Sequence, residues 1–111
     1  MKKIIAIAGL ALVAAGVTFV SSCSVQANSR TDQLSTILVG DSEASVLARL
    51  GQPRVREHIG QPYLLYATTG CTTPCAIRLW WEWPLFRGIE AWSVELDASN
   101  KVVSTAHWVS P

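Results

Sequence analysis

Charge is scarce in this chain, and the usual ingredients of catalysis are missing. Only 15% of its 111 residues are charged, 9 basic against 8 acidic, so it lacks the one-sided basic footprint that neutralises nucleic-acid phosphates. Nucleic acid is therefore not an expected partner. The sequence holds no glycine-rich phosphate loop, no acidic metal cluster and no serine elbow, and each of these chemistries needs its residues at fixed spacing. No enzymatic activity, small-molecule substrate, cofactor or metal is expected. Internal repeats and low-complexity tracts are absent too, and 111 residues exclude a large multidomain enzyme. What is present is apolar: half the residues, enough for a folded core.

Much of that apolar content lies at the start. Met1, Lys2 and Lys3 form a positive head, and Ile4 to Val20 is an apolar run of 17 residues broken only by Gly9, Gly16 and Thr18. The run is shorter than the ~20 residues a transmembrane helix needs, and it ends in the small residues Ser21 and Ser22 before Cys23. The order Val20, Ser21, Ser22, Cys23 resembles a bacterial lipobox. That resemblance implies cleavage after residue 22, acylation of Cys23 and membrane attachment through two or three chains, an effectively permanent anchor. A plain secretory signal and an uncleaved anchor are the alternatives. Ser24, rather than Asp, follows the cysteine, and in the Gram-negative sorting pattern this implies a periplasm-facing outer-membrane protein. Loss of Lys2 and Lys3 from the 9 basic residues leaves 7 against 8 acidic ones.

Three cysteines less Cys23 leaves Cys71 and Cys75, an even remainder that invites a disulfide in an oxidising compartment. A redox pair and a zinc site completed by His58 and His107 are the other readings. Thr72, Thr73 and Pro74 put three residues between the thiols, in a loop, where redox motifs usually place two at a helix start.

Residues 24 to 30 are small and polar, suited to a tether. From Thr31, Leu34, Ile37 and Leu38 recur at helical spacing up to Gly40. A second helix is better marked: Ser42 can cap it, Glu43 suits its first turn, and Val46, Leu47 and Leu50 line one face. Gly51 supplies a left-handed stop, and Pro53 forbids continuation. Arg54, Arg56, Glu57 and His58 then read as a solvated loop. Between Pro62 and Gly70 the period changes to two, with Tyr63, Leu65 and Ala67 alternating against Leu64, Tyr66 and Thr68, which predicts a strand. Trp92, Val94 and Leu96 alternate with Ser93, Glu95 and Asp97, and a turn at Ala98 to Asn100 leads to a last strand over about Lys101 to Val109. Helices followed by strands indicate an α+β domain: two short N-terminal helices on a three- to four-stranded antiparallel sheet.

Gly40, Ser42, Val46, Leu50, Gly51 and Pro53, followed by a tyrosine-containing segment and a closing hairpin, resemble the SmpA/OmlA (BamE) family of outer-membrane lipoproteins. The similarity spans about Thr31 to Val109 and divides the chain into a signal peptide (1–22), a lipidated cysteine with tether (23–30) and a domain (31–111). It implies two helices on a three-stranded antiparallel sheet, and a non-enzymatic accessory role in outer-membrane β-barrel assembly, with that machinery as protein partner. A branch of osmotically inducible lipoproteins with a similar domain implies an envelope-stress role instead. Fold alone does not transmit function.

Between Gly70 and Ile89 the chain departs from that pattern. Ile77, Leu79, Trp81 and Trp83 share one strand parity, and Arg78, Trp80 and Glu82 the other, so this segment can add a fourth strand. Trp81 and Trp83 then cover the core. Trp80 stands on a charged face, and with Arg78, Arg87 and Trp108 it forms a candidate patch for protein or lipid-headgroup contact.

Overall fold

In a computed structural model residues 29–109 are described; the expected signal segment, the expected lipidation site Cys23 and residues 24–28 lie outside them. The first helix, α1, covers 29–35 of the described residues. Leu34 and Ile37 are buried, while Leu38 is 65% exposed, because the helix has already ended and Leu38 donates its backbone N–H to Asp41 Oδ2 at 2.9 Å. Positions 29 and 30, which the sequence reading gave to the tether, are helical. Arg30 donates to the Leu50 carbonyl at 3.0 Å and stacks its guanidinium over Trp92, contacts that hold the first turn to the body.

The second helix, α2, runs Glu43–Leu50. The Ser42 side chain accepts the Ser45 N–H at 3.2 Å, satisfying a donor left free by the first turn. At the other end the Gly51 N–H bonds the Leu47 carbonyl, with φ 78° and ψ −167°. The φ is positive as expected, yet ψ lies far from the left-handed helical value, in a region almost reserved for glycine. That conformation sends the chain straight into a strand. Val46 and Leu50 are buried, with Leu47 partly so.

The strands are β1 (Val55–His58), β2 (Ile77–Glu82), β3 (Glu90–Leu96) and β4 (Val102–Val109), hydrogen-bonded in the order β1-β2-β3-β4, all antiparallel. Together with the two helices that precede them they make an α+β fold. Alternation sends Leu79, Trp81, Trp92, Val94 and Leu96 to the helix-covered face, a register shift in the β3–β4 pairing brings Val102 opposite Leu96, and all of them pack with Leu34, Ile37, Val46 and Leu50. Each such side chain contributes roughly 1.5–3 kcal/mol by leaving water. At the β3–β4 turn, Asp97 Oδ1 accepts from Ser99 and Lys101 N–H groups, and Asn100 takes φ 60°, a short side chain tolerating that backbone. The corner between the helices is sewn to the start of β4 by Gly40 N–H to Val102 O (2.8 Å) and Val102 N–H to Asp41 O (2.9 Å).

Two strand assignments from sequence are corrected. Residues 63–68 form no strand; they belong to a loop that turns Tyr63, Tyr66 and Ala67 onto the sheet, a set that does not follow period two. The segment read as a solvated loop is β1, paired in register with β2 from Val55↔Trp80 to His58↔Ile77. The segment 70–89 does supply a strand, and β2 is central, flanked by β1 and β3.

Candidate functional site

The face of the sheet away from the helices carries the chemistry. By register it presents Val55 and Glu57 from β1, Arg78, Trp80 and Glu82 from β2, Ala91, Ser93 and Glu95 from β3, and Ala106 and Trp108 from β4. The β1–β2 connection, residues 59–76, lies over part of it. Ala67, Trp80 and Ala91 form a second buried cluster there, with Val55, Tyr63, Tyr66 and Trp108 packed around them.

Glu57 and Arg78 lie at the centre. The Glu57 side chain is wholly buried, and that of Arg78 is 5% exposed. Arg78 donates Nε to Oε1 at 2.8 Å and Nη2 to Oε2 at 3.1 Å, a fork-to-fork pair. The same carboxylate accepts the Trp80 indole N–H at 2.9 Å and the Cys71 backbone N–H at 2.7 Å. Arg78 also donates to the Thr69 carbonyl at 2.8 Å, and its guanidinium lies 4.9 Å from the centre of the Trp80 ring. Burial alone raises the Glu57 pKa, but hydrogen bonds from Arg78, Trp80 and the backbone of Cys71 and Tyr63 outweigh it and hold the carboxyl below its ordinary value. An anion so compensated stays ionised and holds its neighbours in place.

Cys71 and Cys75 are joined by a disulfide, Cα atoms 5.5 Å apart, so the loop closes on itself beside the Glu57 carboxylate. Beyond it stands an aromatic cluster. Tyr66 stacks on Trp80 and Tyr63 meets it edge-on, each at 5.6 Å between ring centres, with Trp108 at 5.7 Å. Trp108 donates to Ser93 Oγ at 2.9 Å. The Tyr63 hydroxyl bonds Glu82 and accepts from Arg87 Nη2 at 3.0 Å; the Tyr66 hydroxyl accepts the Gly88 N–H at 2.8 Å. Burial pushes both phenols up, and for Tyr63 the Glu82 hydrogen bond adds to it.

Of the four residues expected to make a contact patch, Arg78 and Trp80 are buried and cannot meet a partner. Their strand parity was read correctly, but the sequence reading took that face to be open, whereas the loop 59–76 and the aromatic rings cover it. Arg87 is exposed and Trp108 is half-buried against Trp80. Glu57 was placed in a solvated loop and is instead the hub of the buried network, while His58 is exposed. His107 stacks on Trp92 at 5.5 Å and contacts Glu90 Oε2 at 2.6 Å, on the helix-covered face. With both sulfurs bonded to each other, the two histidines and two cysteines do not converge. A signal for the hub was present in the chain: an acid in β1 and alternating Arg78 and Glu82 in β2, joined by a long tyrosine-bearing connection.

Comparison of the chain with protein-family profiles, with curated proteins and with solved structures finds no match.

Proposed function

We propose that this chain is a lipid-anchored, periplasm-facing protein of the bacterial outer membrane, acting without catalysis as a protein-binding accessory in β-barrel assembly and envelope integrity. One observation supports the non-catalytic reading most directly. The buried charged groups of the sheet's second face are all partnered: Glu57 and Arg78 by each other, and Glu82 by the Tyr63 hydroxyl and by exposed Arg87, whose Nε lies at 3.3 Å. Such a network fixes a shape rather than offering a reactive group. The Lys2–Lys3 head, the apolar run and Cys23 in register support the anchor, and resemblance to the SmpA/OmlA (BamE) family supplies the partner class. Two measurements test the reading. Palmitate should label the native chain and not Cys23→Ser; equal labelling removes the anchor. A photo-crosslinking residue at Ile59, half exposed just past β1, should capture the barrel-assembly machinery in intact cells, and capture of none of its subunits removes that partner.

A further inference from the structure

We propose that the connection between β2 and β3, residues 83–89, is a second membrane contact whose apolar tip enters the same lipid surface that holds Cys23; the proposal rests on the anchor reading above. The tip is apolar and uncovered. Leu85 is 43% exposed, Phe86 60% and Ile89 45%, on a connection closed by the Trp83 N–H bond to the Glu90 carbonyl at 2.8 Å. Phe86 stacks on Trp83 at 5.8 Å. Leu65 adds to the patch, because its Cδ1 would lie 3.9 Å from a Cβ placed on Gly88, and Leu65 is itself 47% exposed. Contiguous exposed apolar side chains on a small domain mark a surface that something covers.

The direction of the chain says what covers it. Trp92 bonds Thr31 Oγ1 at 3.0 Å, and the Gly40 N–H bonds the carbonyl of Val102, the register partner of Leu96. Helix α1 therefore runs alongside β3 in the same direction, and its start points to the end of the sheet where β2 passes to β3. Trp92 is two residues into β3 from Glu90, about 7 Å along the strand. Five residues lie between Cys23 and position 29, and the six chain steps from one to the other reach at most about 20 Å. An acylated Cys23 thus tethers the domain by that end of the sheet rather than by the end at Leu96 and Val102. Arg87, on the tip itself, has a side chain 56% exposed, placing a cation at headgroup level while Leu85, Phe86 and Ile89 enter the acyl boundary.

The test uses the full lipidated chain carrying Phe86→Cys, labelled with an environment-sensitive nitrobenzoxadiazole probe; Cys71 and Cys75 are paired and Cys23 is acylated on this reading. Leu38→Cys, exposed at the far end of the sheet, is the reference, and Leu85→Cys repeats the measurement beside Phe86. Each is placed in phosphatidylethanolamine–phosphatidylglycerol vesicles with brominated acyl chains. The probe at 86 should shift to the blue and be quenched about threefold more than the probe at 38. Equal quenching at 86, 85 and 38 overturns the contact. So does a probe at 86 shielded from aqueous iodide but untouched by bromolipid, which assigns the tip to a protein surface. Mass measurement of the N-terminal fragment separates the two claims: absent quenching on an acylated Cys23 defeats the membrane contact alone, whereas an unmodified Cys23 in the native chain defeats the anchor and the contact with it.

Discussion

Glu57 and Arg78 stand directly opposite each other in register across β1 and β2, and their side chains meet through two parallel hydrogen bonds of 2.8 and 3.1 Å with almost no water contact. A pair so placed is costly to break and cheap to replace. Taking two charges out of water nearly cancels their attraction, but removing one partner leaves the other buried and uncompensated.

Single substitutions at this pair should accordingly hurt more than the double one. Glu57→Ala or Arg78→Ala should each lower stability by about 3–5 kcal/mol in urea unfolding, while Glu57→Leu with Arg78→Met should cost clearly less than the sum. Additive losses would show that the two side chains act independently.

Acid should act through the same carboxyl. Because Glu57 is held below its ordinary value in the folded state, the folded protein binds the proton less readily than the unfolded chain, so its contribution is complete above about pH 4.3 and is lost as pH falls below that. Unfolding midpoints measured from pH 7 to pH 2.5 should drop in that acid range. In Glu57→Gln the midpoint should be lower at pH 7 and the acid drop shallower.

At the alkaline end the two tyrosines, the only ones in the chain, report on the aromatic cluster. Both phenols are pushed up, chiefly by burial, so the unfolded chain ionises first. Their contribution holds below about pH 10 and is lost as pH rises through it. Phenolate absorbance near 295 nm should show both titrating later than free tyrosine, with neither at the ordinary value until the domain unfolds.

Reduction of Cys71–Cys75 should loosen the cover. A loop of about five residues contributes ~2 kcal/mol on the chain-entropy account, and Cys71 also gives its N–H to Glu57. Cys71→Ser with Cys75→Ser should lose about that much stability, and amide exchange should quicken over 59–76 more than over β3 and β4. Uniform quickening would mean the cover and the helix-side core open together.

Gly51 tests the junction of helix and strand. At φ 78° and ψ −167° nothing crowds a Cβ there, so the cost of Gly51→Ala is backbone strain alone, about 1–3 kcal/mol. Calorimetry should register the loss without a change in near-ultraviolet dichroism.

How much of this was legible in the chain depended on how local the cause was. The cap at Ser42, the face of Val46 and Leu50 and the position of the stop at Gly51 are settled within ten residues and fall where the spacing predicts, although Gly51 takes an extended ψ rather than the left-handed helical one. The β3–β4 hairpin was equally readable. β1 was not: Val55, Arg56, Glu57 and His58 carry three ionisable side chains in four residues, which read as solvent-facing until Arg56 is seen paired to Glu43 on one side of the sheet and Glu57 to Arg78 on the other. Trp80 failed for a related reason. Its parity follows from period two, but its burial depends on the Tyr63–Tyr66 segment crossing the sheet, and that is fixed by contacts 14 or more residues distant in sequence.

The strands neighbour one another in space in the order they leave the N-terminus. No pairing within the sheet has to wait for a distant segment, and β3 with β4 closes across a turn of only a few residues, so the contact order of these pairings is low. The longest closure is the one that sets β1 against β2, spanning residues 59–76, and it is the same segment that buries the ion pair. Loop closure therefore costs most for β1 against β2, so the strand whose pairing is entropically dearest is also the one whose Glu57 completes the charge network.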